Sequence, residues 1–145
     1  MDRELARADD GSWQICLADI DAGGPLPALL GRSRLLTVVD GPVLGLDVDG
    51  TTHVVEPHRP FALAGDAIAA ASVPEGAVRV LHVIVDPQVV TPFVTVLELG
   101  RTSSLPLADD QAAYVLKGDG AGSLVVGPTE VAGRSTIAVI TLERG

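Results

Sequence analysis

Short apolar segments separated by glycine-containing turns fill residues 34–66, and they constrain the fold more than any other part of the chain. Every second residue of Leu44–Val48 is apolar, which is typical of a strand with one buried face. Asp49-Gly50 then supplies the positive φ angles that a two-residue hairpin turn needs before Thr51–Val55. The segment therefore predicts a curled β-meander.

Further apolar runs predict strands along the rest of the chain. They are Trp13–Ile20, Arg34–Val39, Ala77–Val85, Pro92–Leu99, Ala112–Lys117, Ser123–Val126 and Thr136–Leu142. Apolar residues nowhere keep a helical period for more than two turns, so we expect little helix. About ten short strands at this spacing predict a sandwich or barrel. A faint repeat between residues 35–50 and 112–127 suggests two related sheets in one chain.

Three segments are expected to lie outside strands. Residues 1–10 carry six charged side chains and are expected to form one helical turn or to fray. Residues 25–31 are expected to form a loop or a short helical turn, and residues 101–111 a loop. The run at 77–85 has almost no polar alternation, which is typical of a strand that is covered on both faces.

The composition bounds the class of protein. A net charge of −9 argues against nucleic acid as a partner, because binding to phosphates depends on lysine and arginine. The single cysteine, Cys16, allows no intramolecular disulfide and is interpreted as a small buried hydrophobe. No apolar run has the length of a membrane helix, and the charged start is unlike a signal peptide. We therefore expect a soluble, cytoplasmic protein that does not bind membranes.

The three histidines do not form a recognisable metal-binding pattern. His53 and His58 are an odd number of residues apart, which would place them on opposite faces of a continuous strand. No His-x-His pair is present, so we expect neither a metal site nor a cofactor. No serine lies in a Gly-x-Ser-x-Gly context, so a nucleophilic hydrolase is not expected either.

His82 lies in the middle of the most apolar predicted strand, on the same face as Val78, Val80 and Ile84. Two interpretations stay open. It is either a core histidine whose ring nitrogens are satisfied by the backbone, or a polar group that points into a cavity and orients a ligand. Arg79 belongs to the opposite face and is expected at the surface.

Arg32 and Arg34 flank the entry to the central meander. An arginine at this place either makes a bidentate contact with a carboxylate ligand or lies at a rim, paired with a surface acid. Asp66 follows Gly65 and is most simply a turn residue that accepts a hydrogen bond from its own backbone.

The order and spacing of these segments resemble the HutD/Ves family. Its motifs are a Trp-Arg-x-Ser-x-Ala-x-Ile strand, a Gly-x-Phe-Ser-x-Phe-Pro-Gly loop, an Arg-x-Leu strand and a Phe-x-Phe-x-Gly-Asp turn. The matching positions here are Trp13, Ala18, Ile20, Gly24, Gly31, Arg34, Leu36, Gly41, Phe61, Gly65 and Asp66. Two departures from the family remain: the Trp-Lys-Asn-Gly-Gly segment that family members carry shortly before an Arg-Glu pair is absent before Arg3-Glu4, and Leu81-His82-Val83 stands where they tend to carry Asp-x-Asn. Either the true start lies upstream, or this is a diverged member with an altered pocket.

The resemblance implies an all-β, cupin-like jelly-roll barrel with two related lobes in one chain. The lobes would be an N-terminal one, residues 1–90, and a smaller C-terminal one, residues 91–145, packed as one compact domain. It also implies a metal-free protein that binds a ligand and is not an enzyme. This protein would be linked to histidine utilisation, where it would bind a small carboxylate such as formylglutamate and so moderate the pathway. Arg34 would clamp the carboxylate, Trp13 and His82 would shape the cavity, and Asp66 completes the predicted ligand-binding set.

Two other functions remain open from the sequence. The protein is alternatively a metal-free isomerase or epimerase with His82 as base and Tyr114 as acid. A third possibility is a structural module without a ligand, whose exposed strand edges make a homodimer.

Overall fold

The computed structural model of the protein describes residues 2–145, and this part of the chain is all β. It contains fifteen strands: β1 Asp2–Arg7, β2 Trp13–Ile20, β3 Gly24–Leu26, β4 Ser33–Asp40, β5 Leu44–Val48, β6 Thr51–Val55, β7 Phe61–Ala64, β8 Ala69–Ser72, β9 Val78–Val85, β10 Val90–Leu99, β11 Ser104–Leu107, β12 Gln111–Gly118, β13 Leu124–Val126, β14 Thr129–Ala132 and β15 Ser135–Arg144. The predicted all-β class is confirmed. Residues 2–145 contain no helix long and apolar enough to cross a membrane.

The chain divides into two compact units, residues 1–90 and residues 91–145, which we call the first and the second unit. The first unit has a five-stranded sheet in the order β1-β2-β9-β4-β7 and a four-stranded sheet in the order β3-β8-β5-β6. Leucine, valine and alanine side chains from both sheets form one buried cluster, so the two sheets share a core. This is the expected way for a chain with few aromatic residues to fill a β-sheet interior.

The segment with the strongest turn signal in the sequence, residues 44–55, forms the predicted hairpin. β5 and β6 pair antiparallel with Val48 opposite Thr51, which leaves Asp49 and Gly50 as a two-residue turn. Both turn residues have positive φ angles, 49° and 86°. These angles match the twist of the flanking strands and explain why the sequence carries Asp-Gly here.

β9 is covered on both faces, as its apolar sequence predicts. Val80 belongs to the core between the two sheets, while Leu81, Val83 and Val85 on the alternate face are fully buried as well. β9 pairs with β2 on one side and with β4 on the other, so it lies at the centre of the five-stranded sheet. Arg79 at its start forms a surface ion pair with Asp19, 2.7 Å apart, which confirms the surface position predicted for this arginine.

The second unit contains most of β10 and the strands β11–β15. Four strands form a sheet in the order β10-β15-β12-β13, and β11 pairs with β14 in a two-stranded ribbon. Its buried cluster is made of Leu107, Ala113, Val115, Val131, Ile137 and Val139.

Of the three expectations about strand-free segments, that for residues 1–10 is wrong at residues 2–7, and those for residues 25–31 and 101–111 hold except at residues 25–26, 104–107 and 111. Asp2–Arg7 is a strand that pairs with β2, so residues 2–7 form neither a helical turn nor a frayed end, and residue 1 lies outside the described residues. Gly24–Leu26 pairs with β8, and Ser104–Leu107 pairs with β14, a strand that the sequence did not predict at all. All of these strands lie at sheet edges or in a two-stranded ribbon. Such strands depend on one partner strand and need no alternating apolar face of their own.

Candidate functional site

Three neighbouring strands of the first unit direct side chains to the same side of the five-stranded sheet. The register places Gln14, Ile84 and Arg34 opposite one another across β2, β9 and β4. Two residues further along, Cys16 and His82 are partners, and Leu36 is the partner of His82 on β4. Because side chains of a strand alternate between its faces, these two rows face the same space.

That space is a pocket of about 370 Å³ between the two sheets of the first unit. The five-stranded sheet contributes the arginine, histidine and cysteine of the two rows, and the segment around β3 contributes Pro25 and Leu26. Most of the wall is apolar, with three carboxyl-bearing residues, Asp2, Asp19 and Asp21, among the lining residues. A largely apolar pocket with a few polar groups is typical of a small-molecule site.

Arg34 is the central polar group of this pocket. Its side chain lies on β4 and the residue is only 2% exposed. The Nη1 group donates a hydrogen bond to the carbonyl oxygen of Pro27 at 2.9 Å, whereas Nε and Nη2 are buried and have no hydrogen-bond partner among the described residues. Burial lowers the pKa of the Arg34 guanidinium from its ordinary value. The surface-rim interpretation of Arg34 is therefore wrong, because the residue is buried and forms no ion pair within residues 2–145.

His82 lies beside Arg34 in the same pocket. Its Nε2 atom is buried without a hydrogen-bond partner. Burial and, to a lesser extent, the positive charge of Arg34 lower the pKa of His82 to about 4, against an opposing effect of Asp2. The imidazole is therefore neutral at pH 7 and provides one donor and one acceptor nitrogen. The interpretation of His82 as a fully satisfied core histidine is wrong for Nε2.

Cys16 lines the same pocket, and it is the register partner of His82 in the pairing of β2 with β9. The residue is 8% exposed, which confirms its interpretation as a small buried side chain. Burial, and then the nearby carboxylates of Glu4 and Asp2, raise the pKa of the Cys16 thiol. A thiol of raised pKa is a poor nucleophile at neutral pH, so Cys16 contributes shape and polarisability to the pocket.

The loop that carries Pro27 is fixed against Gly65. The amide of Leu29 donates to the carbonyl oxygen of Gly65 at 2.7 Å, and the amide of Gly65 donates to the carbonyl oxygen of Arg32 at 2.9 Å. A Cβ atom at position 65 would overlap both the Leu29 and the Arg32 carbonyl oxygens. Glycine is required here because two backbone segments approach this closely. The same contacts position the Pro27 carbonyl that holds Arg34.

A second pocket of about 280 Å³ adjoins the first. Its walls include Trp13, Gln14 and Arg32. Leu29 and Ile84 are among the residues that line both pockets.

The structure therefore brings together some of the predicted site residues and separates others. Arg34 and His82 line the first pocket, and Trp13 lines the second. Asp66 is exposed and lines neither. Tyr114 is buried in β12 of the second unit and is not among the residues that line the His82 pocket. Sequence reasoning missed Gln14 as a wall residue, and only the β2–β9 register identifies its place.

Residues 2–145 contain no group of three histidine, cysteine, aspartate or glutamate side chains placed to hold a metal ion. His53 instead contacts the ring of Phe61, with 5.0 Å between ring centroids. His58 is exposed in a turn with a positive φ angle.

Residues 2–141 match the family model described as HutD. The chain belongs to the HutD family. Two curated relatives agree with this assignment. Protein Ves from Citrobacter koseri is 32% identical over 68 residues, which cover 46% of this chain and 36% of that protein. An uncharacterized 21.2 kDa protein in the hutC 3′ region of Pseudomonas putida is 31% identical over 88 residues, which cover 59% of this chain and 46% of that protein. The matches thus span less than half the length of either relative.

Solved structures place this HutD-family chain among cupin-like folds. A conserved protein of unknown function from Pseudomonas aeruginosa superposes with a TM-score of 0.83 at 18% identity, over 99% of this chain and 88% of that chain. HutD from Pseudomonas fluorescens superposes with a TM-score of 0.74 at 21% identity, over 98% and 88%. A Cupin_2 domain from an Enterobacter cloacae transcriptional regulator matches 58% of this chain and 93% of its own, with a TM-score of 0.50 at 19% identity. At these identities the likeness shows the fold alone.

Proposed function

We propose that this HutD-family protein binds a small carboxylate in the pocket of its first unit, with Arg34 as the clamp. One observation carries the proposal: two nitrogens of a nearly fully buried guanidinium have no partner in a pocket of about 370 Å³. A buried donor without a partner costs about 1–3 kcal/mol, and a bound carboxylate would remove that cost by accepting two parallel hydrogen bonds.

The neutral state of His82 supports the same ligand. A second cation beside Arg34 would be expensive to bury, whereas a neutral imidazole donates one hydrogen bond to a carboxylate oxygen without adding charge. The apolar wall formed by residues such as Leu36 and Val80 limits the ligand to a small molecule.

The biological role that we propose is regulatory and belongs to histidine utilisation or a related pathway. The P. putida relative is described by its place in the hutC 3′ region, which supports this pathway. Binding of a pathway carboxylate such as formylglutamate would make the protein a sensor of that pathway, which fits a cytoplasmic location.

We also propose that the two units are related lobes of one bicupin-like chain, each a jelly-roll barrel. The repeat between residues 35–50 and 112–127 supports this, since strands β4 and β12 each end at a glycine turn that leads into the next strand. The isomerase alternative receives no such support, because Tyr114 does not line the pocket of His82.

Thermal unfolding of the metal-stripped protein with formate, acetate and N-formylglutamate tests the binding proposal. A ligand at a hundred times its Kd stabilises the protein by about 2.7 kcal/mol, which raises Tm measurably. Arg34→Gln should abolish the shift. Arg59→Gln is the matched control, since Arg59 is exposed, forms an ion pair with Glu56 and lines neither pocket. Equal shifts in wild type and Arg34→Gln, or no shift with any carboxylate, would contradict the proposal.

Recovery of the ligand separates binding from catalysis. After prolonged incubation with the protein, a bound carboxylate should be released chemically unchanged, as measured by NMR. Conversion that disappears in His82→Gln would instead support the enzyme alternative.

A further inference from the structure

The second pocket of the first unit has the features of a binding site of its own, independent of the function proposed for the Arg34 pocket. Its volume of about 280 Å³ lies near the lower end of the range for small-molecule sites, which begins at about 300 Å³. Trp13, Leu29 and Ile84 supply its apolar walls, and Gln14 and Arg32 supply polar groups. A pocket of this size and lining fits a ligand of one ring.

The charge of this pocket is opposite to that of the whole chain. The chain has a net charge of −9, yet two of its ten basic residues, Arg7 and Arg32, line this one pocket, and none of the described residues that line it is acidic. Arg7 forms an ion pair with Glu4, which compensates its charge. Arg32 forms no ion pair within residues 2–145. The pocket therefore attracts an anionic group, and Arg32 carries the uncompensated charge.

Arg32 is held in place while part of its guanidinium stays open to a ligand. Its Nη1 group donates to the carbonyl oxygen of Gly11 at 2.8 Å. Its own carbonyl oxygen accepts from the amide of Gly65 at 2.9 Å, so its backbone is fixed as well. The Nε and Nη2 groups donate no hydrogen bond within the described part of the chain. These two nitrogens share one edge of the planar guanidinium and can donate to both oxygens of a carboxylate.

Trp13 gives the second pocket an aromatic wall. This residue is the single tryptophan of the chain, begins β2 and is half-buried. Its backbone is fixed by pairing with Val85, and its carbonyl oxygen accepts from the amide of Ala8 at 3.0 Å. A fixed and partly exposed indole favours contact with a flat ring, because aromatic pairs gain stability beyond the area that they bury.

We propose that the second pocket is a separate site for a planar aromatic acid of one ring. The ring of the ligand stacks on Trp13 and contacts Leu29 and Ile84, and its carboxylate accepts two hydrogen bonds from Nε and Nη2 of Arg32. A saturated acid lacks the flat face and a neutral aromatic compound lacks the charge, so both bind this pocket less tightly than an aromatic acid does.

The fluorescence of Trp13 reports occupancy of this site directly, because the chain has no other tryptophan. Benzoate should change this fluorescence saturably. It should bind about fivefold more tightly than cyclohexanecarboxylate, which has the same charge and the same number of carbon atoms but no flat ring. Benzamide, which is flat and uncharged, should bind about tenfold more weakly than benzoate.

The variants test each wall of the site. Arg32→Gln should lower the affinity for benzoate to that for benzamide, and Arg32→Lys, which keeps the charge, should retain part of the difference. Trp13→Phe should keep the preference for benzoate over cyclohexanecarboxylate and Trp13→Leu should lose it, with calorimetry as the measurement because both variants lack the indole. Arg59→Gln, at an exposed position that lines neither pocket, should bind benzoate as the wild type does.

Four results would overturn the proposal. Equal affinities for benzoate and cyclohexanecarboxylate would show that no ring stacks on Trp13. Equal affinities for benzoate and benzamide would remove Arg32 from the site. Benzoate binding that is lost in Arg34→Gln and kept in Arg32→Gln would place the aromatic acid in the first pocket. Failure of benzoate to change the fluorescence or to release heat would show that the second pocket binds no aromatic acid, while the Arg34 clamp would still be tested by its own non-aromatic carboxylates.

Discussion

The two units bury their polar groups differently. Within residues 2–145, the buried side-chain nitrogen and oxygen atoms without a hydrogen-bond partner belong to Arg34, Thr37 and His82, all in the first unit. In the second unit the buried hydroxyl of Ser135 donates to the carbonyl oxygen of Gly133 at 3.2 Å. Unsatisfied buried groups are costly, and proteins retain them where function needs them. The difference supports the proposal that the ligand site lies in the first unit.

The apolar cores of the two units, unlike their buried polar groups, should behave alike when a large side chain is truncated. Leu46 in the first unit and Ile137 in the second are both fully buried in their clusters. Leu46→Ala and Ile137→Ala should each lower the free energy of unfolding by about 2–5 kcal/mol, because each leaves a cavity. Urea denaturation measures both. Val54→Ala and Val126→Ala, at exposed positions, are the matched controls and should change stability little. A cost below about 1 kcal/mol for Ile137→Ala would show that the second unit contributes little to cooperative folding.

Acid should destabilise the folded protein through His82, the buried histidine of the first unit. The pKa of His82 is about 4 in the folded protein, below its ordinary value of 6.5. The unfolded chain therefore binds the proton more readily between these values, so stability is complete above pH 6.5 and falls as the pH drops toward 4. The loss from this one group should be about 2 kcal/mol between about pH 7.5 and about pH 5.

Denaturation of wild type and His82→Gln across this pH range isolates the effect, because carboxylates titrate equally in both proteins. The wild type should lose more stability on acidification than the variant. His53→Gln, which alters a histidine outside the pocket, should follow the wild type. Parallel curves for wild type and His82→Gln would mean that the imidazole is not desolvated as the structure indicates.

Sequence could predict two kinds of feature in this fold: turns set by one or two residues, and strands that are apolar along their whole length. The Asp49-Gly50 turn and the apolar run of β9 are examples, and both are confirmed. β1, β3, β11 and β14 were missed because a short edge strand is defined by its partner, and no pattern within Ser104–Leu107 shows that β14 will pair with it.

The sequence identified some of the residues that line the candidate site, but it did not predict how they are arranged. His82 stood out because a titratable group is rare in an apolar strand, and Arg34 because the family resemblance implied a carboxylate clamp at its position; both residues line one pocket. That they meet depends on the register between β4 and β9, which sets Ile84 opposite Arg34 and His82 opposite Leu36. Sequence alone does not fix this offset. The family resemblance implied that Trp13 shapes the cavity of Arg34, whereas Trp13 lines the adjoining pocket.

Replacing the unsatisfied guanidinium should stabilise the empty protein. Arg34→Met removes a buried cation with two unpartnered nitrogens and keeps the apolar stem, so the free energy of unfolding should rise by about 1 kcal/mol while carboxylate binding is lost. Arg79→Met is the control: that arginine forms an exposed ion pair with Asp19, and its loss should lower stability by at most about 1 kcal/mol. Opposite signs in urea denaturation would confirm that the first unit keeps Arg34 for its ligand. A less stable Arg34→Met would make this arginine a structural residue.

Asp66 provides the smallest expected effect and defines the edge of the site. Its side chain is exposed, follows the Gly65 contact that fixes the loop, and lines neither pocket, so its predicted place at the ligand has no structural support. Asp66→Asn keeps the size of the side chain and should change the free energy of unfolding by less than about 0.5 kcal/mol, with carboxylate affinity unchanged. Calorimetry with N-formylglutamate on Asp66→Asn and Arg34→Gln compares the two directly. If Asp66→Asn weakened binding as much as Arg34→Gln, the site would have to include the turn after β7.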